Sequence, residues 1–328
     1  MIISQTPYRM SFFGGGTDYP QWYLKEGGSV LSTTIDKYCF ISCRYLPPFF
    51  NIRHRIVWSY IETVSSVEEI IHPAVREGIR FLEFEETQGL EIHHQGDLPA
   101  RSGMGSSSAF SVGLIKALRT LQGKPIEKHE LALKAIELEQ EIIREIVGSQ
   151  DQVAVAYGGL NTIQFTTSGE IEVTPLDLPE EHRQALEQSL VLFYTGTSRI
   201  SSEIADGVVS QLQNKSQLLE EMRAMVDEAA SLLRKGEIEA FGQLLHQTWV
   251  RKRKLSPEVS NANVDALYER AIRSGAFGGK LLGAGHSGFM VFCVPPERRA
   301  LVIEELKDIL HVPFHFESEG SRIIYQED

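Results

Sequence analysis

Cysteine is scarce: Cys39, Cys43 and Cys293 are the only three in 328 residues. An odd number, without the paired spacing of a zinc site, excludes a disulfide framework. It leaves small core residues in a reducing compartment. Long apolar runs are also missing, and none approaches the ~20 residues that span a bilayer. The first ten residues lack a basic stretch followed by an apolar one, so no secretory leader is expected and residence in the cytoplasm is. Positive charge is in deficit: 32 Lys and Arg against 44 Asp and Glu give a net charge of −12. That balance excludes nucleic acid and anionic membranes as principal partners. Any phosphorylated ligand must then meet local positive charge or a metal within an unfavourable overall field. Repeats, low-complexity tracts and Gly/Ser linkers are absent.

What remains is an ordinary globular composition, 42% hydrophobic and 23% charged. The length suits two closely packed domains, and the chain could act as a monomer or a homodimer. Short β-branched and aromatic runs at 2–5, 38–44, 56–60 and 90–94 predict strands. Apolar spacing predicts helices over 67–84, 107–121 and 127–147, the last stopped by Gly148. A hairpin at 159–173 precedes a loop containing Pro175 and Pro179, which suggests domains over 1–182 and 183–328. The second half predicts a strand at 190–194, helices at 211–235, 238–248, 259–274 and 297–310, and a strand at 288–294. Strands and helices interleave in both halves, an α+β architecture.

Three glycine-rich segments stand out. Gly103, Met104, Gly105, Ser106, Ser107 and Ser108 lie between a predicted strand and a predicted helix. Glycines there let a ligand approach the main chain, and the helix start offers unpaired N–H groups and its positive dipole end. The serines add hydroxyls for phosphate oxygens or a divalent cation, so the segment reads as an anion cradle. It is neither a Walker A loop nor a GxGxxG turn. The second segment is Gly14-Gly15-Gly16-Thr17-Asp18, after Phe12-Phe13 and close to Arg9. Thr17 and Asp18 offer a hydroxyl and a carboxylate for vicinal hydroxyls; a tight turn with an Asp cap is the plainer reading. The third runs from Gly278 to Gly288 and includes Lys280, Gly283, Gly285 and His286.

Phosphoryl transfer needs cradled phosphates, a held Mg²⁺, neutralised charge and an aligned hydroxyl. Glu139 and Asp151 are the acidic residues placed to complete that set. A solvated helix face is the alternative for Glu139.

Taken together, these segments resemble the GHMP kinases, the family of galactokinase, homoserine kinase and mevalonate kinase. Residues 103–109 are similar to the family's Gly-Leu-Gly-Ser-Ser-Ala loop, with Met104 in the leucine place and one serine extra. The resemblance implies ATP bound by Gly103–Ser108, Mg²⁺ held by Ser107 and Glu139, and Asp151 as the catalytic carboxylate partnered by Arg9. It also implies a sugar site formed by Gly15, Gly16, Thr17, Asp18, Gly283 and Gly285. Galactokinases carry Gly-Glu-His-Thr-Asp-Tyr where this chain has Gly14–Tyr19, and the Gly-Gly variant resembles the heptose 7-phosphate kinase branch. The implied reaction is transfer to the anomeric hydroxyl of D-glycero-D-manno-heptose 7-phosphate. A kinase for an unphosphorylated sugar such as fucose or galactose, and a silent sugar-binding member, are the alternatives. The implied fold is an N-terminal domain like ribosomal protein S5 domain 2, followed by a ferredoxin-like domain. Arg101, Arg199 and Lys280 are candidates for a substrate phosphate; the run 251–254 could also serve, but four consecutive charges at a helix end more often form a solvated face.

Overall fold

The computed structural model describes residues 1–85, 87–196 and 215–327. β1 (Ile2–Phe13) runs antiparallel to β2 (Gly28–Tyr45), with α1 (Pro20–Glu26) between them. The first strand was expected to end at residue 5, yet it stays extended for twelve residues. Pro7 is tolerated because the register shifts between Pro7 and Tyr8, a bulge that spares its missing donor. Tyr8 to Phe13 are all buried, because both halves of the chain cover them. Phe241 meets Phe12 and Phe13 edge-on, at ring-centroid distances of 5.6 and 5.3 Å.

β3 (His54–Val57), β4 (Ile61–Val64), α2 (Pro73–Phe81) and β5 (Leu90–Gly96) follow. The helix expected over 67–84 begins only at Pro73, whose fixed φ suits a first turn and whose ring disfavours helix before it. α3 (Ser106–Leu121) packs across β1 and β2. The helix expected over 127–147 is α4 (Lys128–Ile136) alone. Its continuation, Glu137–Ile142, widens into a π-helical turn, and Arg144 adopts a left-handed φ of 64°. Gly148 is therefore no helix stop. α5 (Gln150–Tyr157), β6 (Asn161–Phe165) and β7 (Ile171–Pro175) complete this half. In the first sheet these strands run in the order β1-β2-β5-β3-β4, with β6 also paired to β2.

α6 (Glu180–Ser189), β8 (Leu190–Tyr194), α7 (Ser216–Lys235), α8 (Ile238–Lys252) and α9 (Ala262–Arg273) come next, then β9 (Gly278–Leu281), β10 (Phe289–Cys293), α10 (Arg299–Glu305) and β11 (Leu310–His311). Their strands form a second sheet, antiparallel throughout, in the order β11-β8-β10-β9. α9 starts later than the spacing predicts, because Asn261 caps it by accepting the N–H groups of Asn263 and Val264. α7 also packs against β1 and β2, which ties the layers together.

The tail does not stay with the second sheet. β12 (Phe316–Glu317) and β13 (Arg322–Gln326) return to pair with β2 and β1. Gly320 permits this: a Cβ on it would stand 2.1 Å from the Ala156 carbonyl oxygen. Among the described residues, no helix is long and apolar enough to cross a membrane.

Candidate functional site

The serine-rich segment becomes the start of α3. Gly105 takes the N-cap in left-handed geometry, φ 72° and ψ 30°, and no side chain caps the helix. The first N–H groups of the helix thus have no intrahelical partner, and its dipole favours an anion there. Ser106 Oγ accepts the Arg101 N–H at 3.0 Å, and Ser107 Oγ lies 3.5 Å from Glu145.

Arg9, in the middle of β1, reaches this loop from below. Its Nε and Nη2 donate to Asp151 Oδ1 and Oδ2 at 2.7 and 2.6 Å, a two-pronged fork. Its Nη1 donates to the Gly103 carbonyl at 2.6 Å. Asp151 lies in the first turn of α5, where the helix dipole supports its charge. A Cβ on Gly105 would stand 3.1 Å from Arg9 Cγ and 3.4 Å from Asp151 Oδ2, so the carboxylate borders the cradle itself. The convergence expected of Arg9, Asp151 and residues 103–108 is present in space.

Glu139 is 1% exposed and owes its place to the π-helical turn, a distortion common at functional sites. Its Oε2 accepts from Gln152 Nε2 and, at 3.0 Å, from Ser108 Oγ. The partner expected from sequence was Ser107. The geometry pairs Glu139 with Ser108 instead, since Ser107 is exposed on the helix. Oε1 of Glu139 is buried without a hydrogen bond, beside the equally buried and unbonded Ser111 hydroxyl, which favours the ionised carboxylate. Burial pushes the carboxyl up to about 7. An orphaned oxygen of this kind is what a divalent cation would satisfy, so Mg²⁺ fits here. Among the described residues no group of three or more His, Cys, Asp or Glu could hold a metal. Mg²⁺ takes one or two carboxylates and completes its shell with phosphates and water.

In the second glycine segment the residues separate. Thr17 is fully buried. Its hydroxyl donates toward the Gly14 and Ser29 carbonyls at 2.8 and 3.0 Å and accepts the Ser29 N–H at 3.1 Å. With its bonding capacity spent on backbone, Thr17 shapes the loop and does not grip a sugar. Gly14 is demanded by packing, because a Cβ would stand 1.9 Å from the Ser29 oxygen. Gly16 has a left-handed φ of 105°. Among the described residues, a Cβ on Gly15 would meet only Gln150 Nε2 and Ser11 Oγ, at 3.7 and 3.9 Å. Asp18 accepts from Gly16 N at 2.9 Å and Gln150 Nε2 at 3.0 Å. Burial raises its proton affinity, and these donors oppose the rise.

Gly283 and Gly285 are explained by backbone contact with protein. A Cβ on Gly283 would stand 2.3 Å from Gly103 Cα, and one on Gly285 2.7 Å from Val259 Cα. The third segment therefore clasps the first. Lys280 is no phosphate hook: its buried Nζ donates to the Ser11 and Phe12 carbonyls, each at 2.9 Å. Arg101 is exposed with a φ of 57°, and Arg199 lies outside the described residues.

Sequence reasoning missed Lys252. It was assigned to a solvated face, yet it is 7% exposed and donates to the Leu281 and Gly283 carbonyls. Burial, with Arg9 beside it, brings its proton affinity down to about 7, while Asp18 and Asp151 oppose that fall. Arg9, Lys252 and Lys280 are thus buried close to Asp18 and Asp151, and burial pushes the proton affinity of both lysines down. Apolar length at Leu255, which follows the run, was the one available hint that this helix end turns inward.

Comparison with known proteins agrees with this geometry. The family descriptions "GHMP kinases N terminal domain" and "GHMP kinases C terminal" match residues 69–159 and 229–311. The chain is 30% identical over 326 residues to the D-glycero-alpha-D-manno-heptose 7-phosphate kinase of Campylobacter jejuni, covering 93% of each. It is 25% identical over 333 residues to the galactokinase of Pyrococcus furiosus, covering 90% of each. Among solved structures, a D-glycero-D-manno-heptose 1-phosphate kinase from Bacteroides thetaiotaomicron superposes with a TM-score of 0.82 at 24% identity, covering all of both chains. Streptococcus pneumoniae phosphomevalonate kinase, with phosphomevalonate and AMPPNP, gives a TM-score of 0.78 at 14% identity, covering 96% of this chain and 100% of that one. The fold is theirs, and with a forked arginine–aspartate pair at an uncapped helix start, the chain belongs to the GHMP kinase family.

Proposed function

We propose that this ATP-dependent sugar kinase phosphorylates the anomeric hydroxyl of D-glycero-D-manno-heptose 7-phosphate, giving the 1,7-bisphosphate. The observation that carries the phosphoryl-transfer reading is the Arg9–Asp151 fork, which stands against the cradle at Gly105. The heptose assignment is supported by the Campylobacter jejuni relative and by Gly15-Gly16 in the place of a bulkier pair.

In this reading the N–H groups at the start of α3 receive the ATP phosphates. Glu139 and Ser108 would hold Mg²⁺, which neutralises phosphate charge when bound. Asp18, which accepts the Gly16 N–H, orients the sugar hydroxyls. Asp151 accepts a hydrogen bond from the attacking hydroxyl and takes its proton late, as a loose transition state allows. Arg9 holds the Asp151 carboxylate in its two-pronged fork, and its third donor fixes Gly103. Residues 1–182 supply these groups, and 183–328 supply the clasp around Gly283 and Lys252.

The test is ADP release over a sugar panel. Turnover confined to the heptose 7-phosphate supports the assignment. Preference for fucose or galactose would move it to an unphosphorylated sugar.

A further inference from the structure

The run Arg251-Lys252-Arg253-Lys254 ends α8, and its members diverge. Arg251 pairs with Glu221 at 2.9 Å and Arg253 with Asp265 at 3.2 Å, both at the surface. Lys252 alone turns in. Burying an ammonium is costly, and a methionine of similar length would fill the same space without that cost. The charge therefore needs a reason other than packing.

Its hydrogen bonds trace a path. Nζ donates to the Gly283 carbonyl. Gly283 rests on Gly103, with a Cβ position 2.3 Å from its Cα. The Gly103 carbonyl receives Arg9 Nη1, and the same guanidinium holds Asp151. The charged groups facing Lys252 are Arg9 from β1, Lys280 from β9, Asp18 from the loop after β1, and Asp151 from α5.

We propose that Lys252 is a positioning residue for phosphoryl transfer: by tethering Gly283 it fixes Gly103, and through Gly103 the arginine fork on Asp151. The proposal rests on the phosphoryl-transfer reading above and extends it to the second half of the chain. Small errors in aligning the hydroxyl with the phosphoryl group are expensive, so loss of the tether appears in turnover.

The experiment compares wild type, Lys252→Met and Asp151→Asn with ATP, Mg²⁺ and D-glycero-D-manno-heptose 7-phosphate. Lys252→Met is expected to lower kcat about 10²-fold with little change in the KM for ATP. Its thermal midpoint stays equal or rises, because a buried charge is gone. A kcat loss matched by a fall in thermal midpoint overturns the proposal in favour of a structural lysine. Wild-type kcat in Lys252→Met, with Asp151→Asn slow, overturns it alone. Asp151→Asn at the wild-type rate removes the phosphoryl-transfer reading and this role with it.

Discussion

Gly283 and Gly103 meet backbone to backbone: a methyl group on Gly283 would stand 2.3 Å from Gly103 Cα and 3.0 Å from its carbonyl oxygen. Two segments 180 residues apart are thereby locked, and the loop that would carry phosphate is shaped by the far half of the chain.

Gly283→Ala is expected to destabilise by about 1–3 kcal/mol through overpacking and to reduce turnover by distorting the cradle. Gly123→Ala is the control. Gly123 has a similar left-handed φ of 70° with nothing within 4 Å of the added methyl. It should lose only the backbone strain term, about 1 kcal/mol, and keep its turnover. Urea midpoints and initial rates on both variants check this, and equal losses would mean that the contact is unimportant.

Ser108 and Ser107 should separate in metal binding. Ser108→Ala removes the hydroxyl bonded to Glu139 at 3.0 Å, so Mn²⁺ binding measured with ADP weakens clearly. Ser107→Ala, whose hydroxyl faces Glu145, weakens it less. The reverse order would restore Ser107 as the ligand.

Glu139 makes stability depend on pH and on cation. Its carboxyl titrates near 7 when folded, above the ordinary carboxylate value of 4.5. Folding therefore favours its protonated form, and stability present below pH ~4.5 is lost as pH rises through ~7, by a few kcal/mol. Without divalent cation, the wild-type thermal midpoint should fall from pH 5 to pH 8, and Glu139→Gln should remove that component. Mg²⁺ with ADP should restore the wild type at pH 8. A fall of equal size in both proteins would place its origin elsewhere.

Thr17 and Asp18, adjacent in sequence, have different predicted phenotypes. Thr17→Val leaves the Ser29 N–H without its acceptor and costs about 1–3 kcal/mol, with the sugar KM unchanged. Asp18→Asn raises the sugar KM at near-constant stability. Denaturant titration and substrate titration read the two effects, and a raised sugar KM in Thr17→Val would return that residue to the binding site.

The cradle was legible in sequence because its chemistry is local: glycines, then serines, then an amphipathic helix. Arg9 and Asp151 were legible as residue types, though only the fold shows the fork. Thr17, Gly283 and Gly285 make backbone contacts that the sequence does not show, because glycine and threonine serve backbone packing as readily as ligands, and the partner of Gly283 lies in the other half of the chain. The π-helical turn at Glu137–Ile142, which places Glu139, left no mark on the sequence pattern, since Leu138 and Ile142 keep an ordinary helical spacing through it. Lys252 was hidden by its neighbours, because a run of four cations predicts solvent and cannot reveal that one of them turns inward.

The most direct measurement is single-turnover phosphoryl transfer by Asp151→Asn beside nucleotide affinity. The account predicts transfer slowed by about 10²–10⁴, with ATP bound as in the wild type. Transfer at the wild-type rate, or loss of ATP binding as the sole defect, would contradict a carboxylate poised against the acceptor hydroxyl.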